Sequence, residues 1–192
     1  MILGAKRPGI MAQVSLQPVQ QCRAGRFLVA GLIVSPLAML ATTAVAAAPD
    51  WIISEATQGV TLVHQGIARP ATRNSHVEAG DAIVTSANAR AVIVHGEEFA
   101  VIAPQSRLEI KAAVQGGAMT RLMQSMGNAV FTLRKRLEPY FAVDTPYLAA
   151  VVKGTTFSVT VDSKGASVQV IEGAVEVSTN AGSARQLVLP GD

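Results

Sequence analysis

A chain of 192 residues with 49% apolar and 15% charged side chains can bury one sizeable core and is too apolar to be disordered. Its net charge of +3 belongs to residues 1–49, which hold Lys6, Arg7, Arg23 and Arg26 and no acidic residue. Residues 50–192 keep 12 of the 16 basic residues and all 13 acidic ones, a net charge of −1, which argues against a strong phosphate-binding surface. Cys22 is the single cysteine, so neither an internal disulfide nor a thiolate zinc site is available.

The chain opens on a targeting pattern. Arg23 and Arg26 precede FLVAGLIVSPLAMLATTAVAAA, 22 uncharged residues from Phe27 to Ala48. A leucine-rich stretch to about Leu40, Pro36 within it, and Ala44-Val45-Ala46 as a small-x-small site predict a signal peptide cleaved after Ala46. The run is also long enough to span a bilayer as an uncleaved anchor, its basic flank cytoplasmic. Both readings export residue 50 onward. A buried core helix is the third reading, and the Ala-rich end argues against it. Cys22 precedes the apolar run and is no lipoprotein site. Met11 competes with Met1 as the start.

Residues 47–58 read as a linker. From Trp51 onward the hydrophobic period is close to two, the period of half-buried strands. Gly59–Gly66 reads as a strand between glycines. Ala89–Gly96 puts Ala91, Ile93 and His95 on one face. Phe99–Ile110 gives a strand, a Pro-Gln-Ser turn, then Leu108 and Ile110 facing together. Met119, Leu122, Met123 and Met126 match a helix face, a stretch whose conformation stays open, whereas Ala129–Arg134 reads as a strand. Arg134-Lys135-Arg136 reads as a solvated edge, where basic residues discourage unwanted pairing. TTFSVTV places Phe157, Val159 and Val161 inside. ASVQVIEG does so for Val168 and Val170, and AVEVS for Val175 and Val177, with Glu172-Gly173 as a hairpin-like turn between them. Strands of about five residues separated by Gly-containing turns predict an all-β fold: two packed antiparallel sheets or a β-roll, with a solenoid-like winding as the alternative.

Chemistry is sparse. His64, His76 and His95 lack metal-ligand spacing, and no His-Glu-x-x-His occurs. No Gly-x-Ser-x-Gly elbow is present, and no glycine cluster forms a phosphate loop leading into a helix. Glu97 and Glu98 point to opposite sides if extended, which makes them poor partners for acid–base work. The expectation is a protein without catalytic, cofactor or metal site.

A set of motifs resembles a known family. Gly80-Asp81 opens GDAIVTSANARAVIV. APQSRLEI carries a Pro-x-Ser turn. DTPYLAAVVKGTTFSVTV holds Thr145-Pro146 and Lys153-Gly154-Thr155-x-Phe157. VIEGAVEV holds Glu172-Gly173, and PGD closes the chain. From about Gly59 to Asp192 the sequence is similar to the FecR protein domain, a periplasmic β domain of bacteria. The resemblance implies that these residues are a folding signature, with Lys153 or Thr155 as a contact surface in the competing reading. It also implies a non-enzymatic envelope module over 59–192 that binds another envelope protein or a glycan. Family members that regulate iron uptake add a cytoplasmic anti-sigma domain and a further C-terminal domain. At most 26 residues precede the apolar run here. A membrane-anchored sensory component relaying a signal through a partner is the alternative function, and an assembly subunit the third.

Overall fold

The computed structural model describes residues 51–112, 119–182 and 184–192, all within one compact unit, Ala44–Asp192. The predicted signal or anchor segment and Cys22 lie outside the described residues. Every regular element described is a strand, and no described helix is long and apolar enough to cross a membrane.

Among the described residues, fifteen strands form one hydrogen-bonded network that bends into two sheets. Sheet A runs β4 (His76–Val77), β1 (Trp51–Ala56), β6 (Ala91–His95), β7 (Glu98–Ile102), β9 (Thr120–Thr132), β12 (Thr156–Val161), β13 (Ala166–Glu172), all antiparallel. Sheet B runs β3 (Ile67–Pro70), β2 (Val60–His64), β5 (Ala82–Thr85), β8 (Arg107–Ile110), β9, β10 (Phe141–Asp144), β11 (Leu148–Val152), β14 (Val175–Thr179), β15 (Arg185–Val188). Only β9–β10 is parallel. Both sheets share β9. Its first half pairs with β8 and β10, its second with β7 and β12.

Two sequence expectations change, and the stretch left open takes a definite form. Met119–Met126 is not helical: Thr120–Thr132 is one 13-residue strand, ending two residues before Arg134. Its irregular apolar spacing reflects the bend at Gly127 (φ 85°), where the strand moves from one sheet to the other. The expected linker contains β1, whose Trp51 and Ile53 are buried. Glu172-Gly173 is not a hairpin turn, because β13 pairs with β12 whereas β14 pairs with β11 and β15. The chain crosses between sheets there.

Most of the expected inward residues form the core, whereas Val168 and Val177 are half-buried and pack against it. Ala91, Ile93, Leu108, Ile110, Phe157, Val159, Val161, Val170 and Val175 are all buried. Inward side chains of both sheets make one cluster, including Ile53, Phe131 and Phe157 from sheet A and Leu62, Ile83 and Phe141 from sheet B. Burial of this apolar surface is the main stabilising term. The basic run is laced to carboxylates: Arg134 to Glu97 at 3.2 Å, Lys135 to Glu172 at 2.9 Å and Arg136 to Glu98 at 3.4 Å.

Candidate functional site

The chain crosses between the sheets repeatedly, and three crossings meet at one corner. Residues 133–140 leave β9 for β10, 153–155 leave β11 for β12, and 173–174 leave β13 for β14. Crossing segments lack ladder partners, so their backbone groups need others. Leu133 N donates to Thr155 O at 3.2 Å and Arg136 N to Lys153 O at 2.6 Å. Thr155 Oγ1 donates to Ala174 O at 3.0 Å. Gly154 holds φ 129°, and a Cβ there would run into the Arg134–Lys135 backbone. Gly173 (φ 92°) lies so close that its Cβ would stand 3.1 Å from Gly154 O.

The remaining family-motif residues serve other joints. Gly80 (φ 95°) precedes Asp81, which is buried and accepts from Glu78 N at 3.0 Å while His64 Nδ1 lies 2.5 Å away. Thr145, also buried, closes the β10–β11 turn across Pro146: its Oγ1 accepts from Leu148 N at 2.9 Å and Tyr147 N at 3.1 Å. Phe157 is fully buried and stacks on Phe131 at 5.2 Å. Glu172 ends β13 in its pair with Lys135, whose hydrogen bond holds the Glu172 carboxyl below its ordinary pKa. The motifs thus come together at the corner only in part: Lys153, Gly154, Thr155, Glu172 and Gly173 meet, whereas Gly80, Asp81, Thr145 and Pro146 sit elsewhere.

The corner carries a cleft of about 300 Å³ walled by Pro139, Val151, Thr155, Ala174 and Leu187, with Lys153 on its rim. Each of its basic neighbours 134–136 has a carboxylate. Lys153 is exposed, and no described carboxylate lies within ion-pair distance of it.

Beneath the corner lies a buried polar group that no sequence motif marks. Glu98 is only 4% exposed, although Glu97 beside it faces solvent. The Tyr140 phenol stands 2.7 Å from Glu98 Oε1 and 2.8 Å from Arg134 O. Arg136 lies 3.8 Å above the Tyr140 ring, and His95 Nδ1 is 3.4 Å from Glu98 Oε2. Strand parity held the signal: Glu98 shares its face with buried Ala100 and Ile102. Burial, and next the bond to Glu98, push the Tyr140 phenol well above its ordinary 10.0. The fold therefore favours the neutral phenol. That stabilisation is complete below pH 10 and declines as the pH climbs beyond it. Tyr140→Phe should cost about 1.5–3 kcal/mol at neutral pH by depriving Glu98 of its donor. Its stability should also fall less steeply than wild type above pH 10, which urea melts across the alkaline range would record.

The corner and its surroundings hold no arranged nucleophile and base. Among the described residues, no three His, Cys, Asp or Glu side chains are grouped to hold a metal. The other feature beside the corner is an open strand edge. β13 is hydrogen-bonded to β12 on one side and to no other strand among the described residues. The other edges of the two sheets are guarded: β4 has two residues, β3 carries Arg69 and Pro70, and β15 has four residues with Arg185. β13 has seven residues and neither proline nor a basic side chain. A bulge at Ile171, where Phe157 pairs Val170 and Thr156 pairs Glu172, is its one irregularity. Ile171 is 57% exposed.

Comparison with known proteins decides the family. The family model described as FecR protein matches residues 81–176, half of the chain. The chain belongs to the FecR protein family. The match begins at Asp81, covers the Thr145-Pro146 and Lys153-Gly154-Thr155 motifs, and ends at Glu176 on the rim of the cleft. No curated protein matches this FecR-family chain. Two crystal structures of a candidate anti-sigma factor from Parabacteroides distasonis ATCC 8503, at 2.50 and 1.65 Å, align with TM-score 0.49 and 18% identity. Each covers 57% of this chain, which spans about half (51%) of that protein.

Proposed function

We propose that this FecR-family protein is exported and non-enzymatic, and that it binds an envelope protein by adding a strand of that partner to β13. The observation that carries the reading is the seven-residue open edge ending at the motif corner. Unpaired N–H and C=O groups along an edge template a further strand, and exposed side chains select it. Ser167, Gln169 and Ile171 alternate as exposed contacts, so the segment accepted is extended, polar in its middle and apolar opposite Ile171. Ile171→Lys should abolish co-purification of the partner and leave thermal stability within about 0.5 kcal/mol of wild type, as for an exposed site. Partner retention by this variant would refute the edge.

Family membership favours a second reading: an anchored regulatory component relaying an extracytoplasmic signal through the same partner. A C-terminal tag, fractionation and an intact mass separate the two. A soluble species starting at Ala47 supports the secreted module. A full-length species in the inner membrane supports the anchored relay.

A further inference from the structure

A second corner, away from the Lys153 cleft, opens a groove. Here β9 bends at Gly127, and a Cβ on Gly127 would come within 2.5 Å of Ser106 Cα and 2.6 Å of Gln105 O. The bend parts the β10–β11 turn of sheet B from the β12–β13 turn of sheet A. Between them lies a groove of about 670 Å³, with a smaller one of about 240 Å³ continuing from Thr160 and Asp162 towards Lys164.

Its lining is specific in kind. Tyr147, 42% exposed, offers a ring, and Met126, 50% exposed, an apolar patch. Around them stand an amide from Gln105, another from Asn128, the Thr160 hydroxyl and the Asp162 carboxylate. Gln105 is held in the left-handed region (φ 54°), an uncommon place for a residue other than glycine. Asn128 Nδ2 is fixed by Thr160 Oγ1 at 2.8 Å, which leaves its Oδ1 free to accept. Asp162 uses Oδ1 to hold Lys164 N at 2.7 Å and Gly165 N at 3.0 Å.

The geometry points to a binding site for a neutral oligosaccharide, with Tyr147 stacking on a sugar face. Hydroxyl-rich ligands need acceptors and donors along an open groove, and an aromatic ring supplies apolar contact at low entropic cost. A polyanion is disfavoured: Asp162 lies in the groove and residues 50–192 carry a net charge of −1. The larger groove has no lining residue on β13, although the smaller one reaches Ala166 and Ser167 at the start of that strand; Tyr147 and Gln105 lie off β13, so their substitution tests this inference apart from the proposed function.

The test is calorimetric titration of the full chain with three neutral tetrasaccharides: β-1,4-linked glucose, β-1,4-linked N-acetylglucosamine and α-1,4-linked glucose. At least one should bind, and Tyr147→Ala and Gln105→Ala should each weaken it by about tenfold or more. Tyr147→Phe, which keeps the ring, should retain binding, and this separates stacking from a damaged turn. Absence of binding by all three sugars overturns the site. So does unaltered binding in Tyr147→Ala, or displacement of the sugar by an unmodified peptide at equal concentration.

Discussion

Gly154→Ala is expected to lower the stability of the β domain by about 3 kcal/mol or more, a large share of what a domain of this size commands. Two costs add. The backbone holds φ 129°, which residues with a Cβ rarely adopt. The added methyl would also press into the backbone of Arg134 and Lys135, with the Arg134 carbonyl carbon 2.5 Å from it. Neither backbone can retreat, because Arg136 N bonds Lys153 O and Leu133 N bonds Thr155 O across the same corner. Gly165→Ala is the control. Nothing lies within 4 Å of a Cβ there, and its φ is outside the left-handed region, so its effect should stay within about 1 kcal/mol. Urea unfolding of both variants decides the matter. A Gly154→Ala midpoint close to wild type would mean that the three crossings do not pack as described.

Phe157→Ala should cost about 3–5 kcal/mol, the range for emptying an aromatic site in a core. Phe157 is fully buried in β12 and stacks on Phe131 of β9 at 5.2 Å with a 26° interplanar angle. Phe131 touches Phe141 at 6.0 Å, and Phe141 meets Trp51 edge-on at 6.3 Å. With an aromatic fraction of 4%, these rings are a large part of the bulk joining the sheets. The rest of the core is mostly Val, Ile, Leu and Ala, fixed on strands that cannot collapse into the hole. Phe99→Ala, on β7 but 37% exposed, should cost much less, about 1 kcal/mol. Equal losses at Phe157 and Phe99 in chemical denaturation would contradict the assignment of the core.

Strand content was legible because alternation reports burial directly. TTFSVTV named Phe157, Val159 and Val161 as inward, and all three are buried. Long-range pairing was not legible. Nothing local in Glu172-Gly173 distinguishes a hairpin from a crossing, because either needs a glycine with positive φ. β9 was read in two pieces because a strand that changes sheets at Gly127 also changes which side faces the core. β1 falls in the expected linker because it directly follows the leader, although Trp51, Ile52 and Ile53 are strong strand formers. At the corner, the sequence offered Lys153, Gly154 and Thr155 as a motif, but their companions Pro139, Ala174 and Leu187 come from three other segments. Glu98 could have been found by parity alone. Its partner Tyr140, 42 positions away, could not.

The most direct measurement is a photo-cross-linking scan on the full chain in its native cells. A photoreactive residue is placed at Ser167, Gln169 or Ile171 along β13, and at exposed Arg69 on β3 as the control. Strand addition to β13 predicts adducts with one envelope protein at all three β13 positions and none at Arg69. No adduct at any β13 position, or equal adducts at Arg69, would contradict it.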